Sequence, residues 1–328
     1  MEKKRSGWRL AAMIAGIGCL SIIAVVVGGV IIASMYARAT LRNMGDSEPR
    51  SVSRRIELPS PEPVTAERGP SGKDSPATAP LRLTLDLKEG NFTIRPGQPG
   101  TDVQVEGQFS PGMYELLDNR ETDPATGATQ ARIRFRSTAP PWARFFAGIT
   151  GDSRSQPELT ITIPRGKPLD LMLIMSMGRS DIDLGGLTLS DVSVNTSMGE
   201  HHVDFREPVA AGARELRFTT SMGNVVLENL GNARAESISG SGSMGNLTVN
   251  LSGAWLEGHE ANVRFEQSMG ELTVRVPANI RVDADVRSAD GGESTNRTPE
   301  IRQPDDPKAP TVRLRVNTSM GNARVVQY

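Results

Sequence analysis

The tripeptide Ser-Met-Gly occurs six times, beginning at Ser176, Ser197, Ser221, Ser243, Ser268 and Ser319, and it restricts what this chain can fold into more than any other feature. Five copies follow one another at about 21 to 25 residues and the last comes after a gap about twice as long, which is the period of a solenoid of stacked units. With each Met as origin, apolar residues recur six and four positions earlier: Leu171 and Leu173, Val192 and Val194, Leu216 and Phe218, Val263 and Phe265, Leu314 and Val316. That alternation describes a strand with one buried face. Beyond the Gly the parity slips by one, because apolar residues fall three, five and seven places after Met, as in Leu247, Val249 and Leu251 or Leu272, Val274 and Val276. Such a slip sends side chains to the wrong face unless the chain bends there. Gly178, Gly199, Gly223, Gly245, Gly270 and Gly321 are therefore expected at corners, where a residue without Cβ accepts positive φ or close backbone approach. Met177, Met198, Met222, Met244, Met269 and Met320 are expected to turn inward just before each corner and stack as a buried ladder.

Two degenerate copies extend the series, one through Leu83, Leu85, Leu87, Gly90, Phe92 and Ile94, the other through Ala284, Val286 and Gly291 inside the long gap. An aromatic content of only 4 % beside 33 Gly and 22 Pro also argues for short strands and turns rather than helical bundles. The expected fold is all-β: a single-stranded β-helix or solenoid of about seven to eight rungs over residues 81–328, stabilised chiefly by contacts between neighbouring rungs. Pro168-Leu169-Asp170-Leu171, the run Asp181-Ile182-Asp183-Leu184-Gly185-Gly186-Leu187 and the recurring small-residue-Gly corners resemble the bacterial toast-rack and putative-adhesin β-solenoid domains. The resemblance implies a membrane-attached envelope protein that is not an enzyme, with some relatives tied to cell-wall stress responses. Met stands here where many relatives carry Ala, which leaves the partner open.

Upstream of the solenoid, Leu10 to Met35 is apolar without a charge, about 26 residues, more than the roughly 20 that cross a bilayer core. Residues 1–9 are expected to be a cytoplasmic tail, 10–36 a transmembrane helix that contacts the lipid bilayer, and 37–80 a disordered linker rich in Pro and Ser. Lys3, Lys4, Arg5 and Arg9 favour a cytoplasmic N-terminus. Arg38, Arg42, Arg50, Arg54 and Arg55 follow the span and blunt that bias, and the length of the translocated domain decides for an extracytoplasmic solenoid on a bacterial cytoplasmic membrane. Small residues four apart, such as Ala12 and Gly16 or Gly29 and Ala33, allow a weak homo-oligomer through the span.

A net charge of -1 gives no basic footprint, so nucleic acid is not an expected partner. Cys19, the one cysteine, lies in the apolar stretch, and no thiol chemistry is expected outside it. His201 and His202 are adjacent, so in a strand they face opposite ways and do not chelate one ion together; His259, in the divergent loop 253–262, reads as a surface histidine. Asp181 and Asp183, or Asp283 and Asp285, alternate outward around a buried residue, and no acidic cluster recurs on neighbouring rungs as a polysaccharide-acting enzyme would need. A path of thioethers for a soft metal is the other reading of the Met ladder, set behind core packing. No catalytic residue, cofactor or metal is expected. Trp142, Phe145 and Phe146, in the segment 140–149, either cap the end of the solenoid, the favoured reading, or contact a membrane or a partner. The function expected is an envelope interaction module of adhesin type that meets a protein or glycan, with a stress-response accessory or a polysaccharide-acting enzyme as alternatives.

Overall fold

The structure, a computed structural model, describes residues 28–32, 35, 49–58, 81–122, 129–138, 156–290, 293–297 and 299–328. Among them lie fourteen strands: β1 (Arg50–Glu57), β2 (Leu81–Pro99), β3 (Asp102–Phe109), β4 (Tyr114–Thr122), β5 (Thr129–Ser137), β6 (Glu158–Arg165), β7 (Pro168–Asp183), β8 (Thr188–Asp204), β9 (Glu215–Glu228), β10 (Ser237–Asn250), β11 (Glu260–Val276), β12 (Arg281–Asp290), β13 (Glu293–Arg297) and β14 (Thr311–Gln327). Residues 28–32 and 35 are helical, and among the described residues no helix is long and apolar enough to cross a membrane. Most of the expected span 10–36, including Cys19, lies outside the described residues.

The chain divides into two compact units, one of Met1–Pro49, Ser110–Glu115 and Ser137–Ser155, the other of Arg50–Phe109, Leu116–Arg136 and Gln156–Tyr328. In the first, Ser110 closes a turn by accepting from the Met113 and Tyr114 amides at 2.9 and 3.0 Å. The second is the solenoid. Its sheet runs in the order β1-β3-β6-β2-β7-β8-β9-β10-β11-β14-β12-β13, and nine of these strands, from β6 to β12, pair in parallel. Parallel neighbours that each return through a loop are what a repeat of about 22 residues dictates: one strand per turn, stacked on the turn before.

Each long strand has two arms. Before the corner, Leu171, Val192, Leu216, Ile238, Val263 and Leu314 point inward, all at most 2 % exposed; after it, Ile182, Val203, Leu227, Val249 and Val274 do the same. At roughly 1.5 to 3 kcal/mol for each buried side chain of this size, the rung's stability rests on the neighbours above and below. Small and large residues alternate between rungs. A Cβ on Gly240 would stand 2.4 Å from the Phe265 ring, so β11 fills the space that β10 leaves.

Three features differ from the sequence expectation. Residues 50–57, expected to be disordered linker, form β1, antiparallel to β3 from Arg50↔Phe109 to Glu57↔Asp102. The segment lacks a strong apolar period because an edge strand needs only one lightly buried face, here Ile56 and the adjoining Leu58, and its arginines protect that edge against further pairing. The rungs are also not stacked in chain order: β14 lies between β11 and β12. β14 carries both arms and matches β11 from Glu260↔Thr311 to Val276↔Gln327, whereas β12 offers only its first arm, Arg281 to Ser288, and so stands outside. Gln303 then closes the exposed edge of β12, its amide accepting from Val282 N at 3.0 Å and donating to Val282 O at 2.8 Å. The third difference, the side on which the methionines lie, concerns the site.

At the other end, β2 is covered by two strands rather than one. β5 pairs with its first arm, Arg82 to Leu87, and β6 with its second, Asn91 to Pro99. The segment between β5 and β6, which contains Trp142, Phe145 and Phe146, lies outside the described residues except at its ends. Asp86 is 3 % exposed on this face and is met by Arg132 at 2.9 Å, Lys88 at 3.0 Å and Arg134 at 3.5 Å. Burial alone would raise its pKa, but hydrogen bonds and charge from Lys88 and Arg132 outweigh that and hold the carboxyl below its ordinary value.

Candidate functional site

The corner is built by glycine. Gly178, Gly199, Gly223, Gly245, Gly270 and Gly321 have φ between +117° and +139°, as does Gly90 of β2, and they stand in register from strand to strand. A Cβ on Gly199 would lie 1.8 Å from the Gly178 carbonyl oxygen, and one on Gly223 would lie 2.2 Å from that of Gly199. Each corner is thus pressed against the backbone of the corner before it, and no side chain fits between.

The expected burial of the methionines is overturned. Met177, Met198, Met222, Met244, Met269 and Met320 are between 39 and 54 % exposed, whereas the residues two places before them, Met175, Thr196, Thr220, Gly242, Gln267 and Thr318, are buried. Simple alternation would place Met on the inner side. The bend begins earlier, at the Ser: the ladder pairs Met175 with Thr196 and then Met177 with Met198, leaving the serines out of register pairing. Ser and Met together therefore occupy the convex side of the corner, and the next inward position is three residues after Met.

The six methionines form one column, Met177↔Met198↔Met222↔Met244↔Met269↔Met320, on six successive rungs. At about 4.8 Å between neighbouring strands the column is about 24 Å long. It is flanked by the Ser and Gly columns, which carry no charge. The next exposed column reads Arg179, Glu200, Asn224, Asn246, Glu271 and Asn322, in which Arg179 is closed by Glu200 at 2.6 Å. At the near end of the Met column, Glu89 of β2 takes the Met position.

No family model matches this chain, and no curated protein matches it. Among solved structures it is similar to a putative cell adhesion protein from Clostridium sporogenes, at 11 % identity and TM-score 0.39, over 86 % of this chain and all of that one. A putative adhesin from Bacteroides fragilis matches at 12 % identity and TM-score 0.36 over 86 % and 99 % of the two chains. One from Parabacteroides merdae matches at 10 % and 0.25 over 85 % and 96 %. Their names agree with the resemblance drawn from the repeat.

Several of the other described residues singled out in the sequence bridge neighbouring rungs or hold a local turn. His201 is buried with Nδ1 2.8 Å from Ser180 Oγ, and desolvation pushes its pKa below the ordinary value; His202, on the opposite face, meets Asp181 at 3.1 Å. His259 is not a free surface histidine: it is half-buried against Trp255, with Nε2 3.0 Å from Ala235 O. Asp183 accepts from the Gly185 and Arg206 amides and Asp285 pairs with Arg287, so these carboxylates have local structural partners. Among the described residues no group of three His, Cys, Asp or Glu side chains is placed to hold a metal ion. Sequence reasoning missed Thr196 and Thr220, whose buried hydroxyls line a small cavity with Val194, Phe218 and Leu247. Only their position two before Met could have marked them.

Proposed function

We propose that this chain is a non-enzymatic, membrane-anchored module of the bacterial envelope, adhesin-like in kind, in which the solenoid presents its methionine corner as a contact surface. The observation that carries this reading is the column of six half-exposed methionines. Apolar side chains normally gather in the core, and a continuous exposed line of them marks a surface that meets something else. Methionine suits such a surface, being unbranched, flexible and polarizable. The apolar stretch 10–35 supplies the anchor. Because β1 begins at Arg50, residues 37–49 are the length of chain between anchor and solenoid, about 45 Å at most when fully extended.

Anchoring is tested by a carbonate wash of membranes, which should leave the chain in the pellet, and by protease added to spheroplasts, which should digest the solenoid. Release by the wash, or full protection, overturns the corresponding half. For the contact surface, a photo-crosslinking residue at Ser221 or Ser243 should capture an envelope partner in intact cells more strongly than one at Thr248 or Thr273 on the arms. Equal capture at all four positions would remove the corner from the reading.

A further inference from the structure

The corner column is selective for one side chain in a way that contact alone does not explain. Buried positions of the repeat vary freely: six places before Met stand Leu171, Val192, Leu216, Ile238, Val263 and Leu314, and three places after it stand Ser180, His201, Val225, Leu247, Leu272 and Ala323. A merely apolar ridge would be served by Leu, Ile or Val in the same mixture. All six exposed positions are nevertheless Met. Backbone geometry does not demand it, since Glu89 occupies the same register position beside Gly90, whose φ is +139°. What distinguishes Met from other apolar side chains is the thioether, a soft ligand that selects Cu(I) among biological metals. Burial in the core, the competing explanation, is removed by the exposure of every member of the column.

We propose that the corner column binds cuprous ions, each held between the thioether sulfurs of two or three successive rungs; this rests on the reading of the corner as the contact surface and names its ligand. Adjacent methionines are one strand spacing apart, about 4.8 Å, and three rotatable bonds in each side chain let neighbouring sulfurs converge on one ion. Thioethers are neutral, need no deprotonation and suit a monovalent ion. Beside the column the Ser and Gly positions are uncharged, and Arg179, the one cation of the next exposed column, is neutralised by Glu200. The column offers sites of alternative pairing along its length, which allows an ion to be passed from rung to rung.

The test uses the full chain in detergent with Cys19→Ser, so that a thiol does not compete, and silver(I) in chloride-free buffer as the redox-inert probe. Carbon-13 methyl labels on methionine should show the resonances of Met177, Met198, Met222, Met244, Met269 and Met320 shifting on titration while buried Met175 stays. Two triple variants separate shared-ion binding from the presence of methionine. Met198→Leu, Met244→Leu and Met320→Leu together leave three methionines with no neighbour and should abolish silver uptake. Met244→Leu, Met269→Leu and Met320→Leu together leave three adjacent methionines and should retain it. Because Leu keeps an apolar surface, both variants should still crosslink a partner from Ser221. Equal silver uptake by the two variants, or unmoved corner methyl resonances in the parent chain, overturns the proposal without touching the contact surface; loss of crosslinking with silver binding intact overturns the contact reading instead.

Discussion

Two adjacent residues of β9 should respond to truncation or enlargement in opposite ways to their usual reputations. Gly223→Ala adds one methyl group, which elsewhere stabilises by lowering the entropy of the unfolded chain. Here the backbone has φ +136° and the new Cβ would stand 2.2 Å from the Gly199 carbonyl oxygen, 2.9 Å from its amide nitrogen and 3.1 Å from its carbonyl carbon. The strained backbone costs about 1 to 3 kcal/mol and forcing the two corners apart about 1 to 3 more. A loss of about 2 to 6 kcal/mol is expected. Asn should do no better than Val, because φ +136° lies beyond the left-handed helical region that Asn tolerates and the obstacle is backbone. Met222→Ala removes a large side chain, yet 45 % of it is already in water, and a change below about 1 kcal/mol is expected. Because solenoid rungs need not unfold together, native-state hydrogen exchange is the suitable assay, read at the amides of β8, β9 and β10. Protection in all three should fall in the Gly variant and stay in the Met variant. Unchanged exchange after Gly223→Ala, or a loss of several kcal/mol after Met222→Ala, would refute this corner geometry.

Other outcomes follow from single contacts. His201 has a folded pKa depressed by burial, so the unfolded chain takes up its proton first and stability should decline as pH falls below about 6.5. His201→Val, matching Val225 on the next rung, should flatten the fall in melting temperature between neutral pH and pH 5, and an unchanged slope would exclude His201 as its source. Asp86 has the same sign in a more acid window, its depressed pKa giving stability that is present above about pH 4 and lost in more acid solution. Asp86→Asn should cost about 1 to 3 kcal/mol at pH 7, measured by denaturant unfolding, because charge-assisted hydrogen bonds to Arg132 and Lys88 disappear. Gln303→Ala should unprotect the Val282 amide to hydrogen exchange while leaving the amides of β10 unchanged.

Much of the rung is legible in the amino-acid sequence alone. The spacing of Ser-Met-Gly, the alternation at Leu216 and Phe218 and its shifted continuation at Val225 and Leu227 require a strand, a corner and a second strand, because a period of two can change phase only where the chain bends. Those side chains are indeed buried on both arms. The glycine's role is readable for the same reason, although its second cause, the carbonyl of the rung beneath, belongs to stacking and leaves no trace in a single repeat.

What the repeat does not determine is the residue at which the phase changes. A bend at Gly223 would place Met222 inside, whereas a bend at Ser221 places it outside, and both satisfy the same apolar pattern. Only the close approach of Gly223 to Gly199 decides between them, since it forces the convex side to fall on Ser and Met. The place of β14 between β11 and β12, and the recruitment of Arg50–Glu57 as an edge strand, are hidden for a related reason. Strand partners are chosen by backbone hydrogen bonds that every residue but proline can make, so pairing order is a property of the assembled stack rather than of the sequence that enters it.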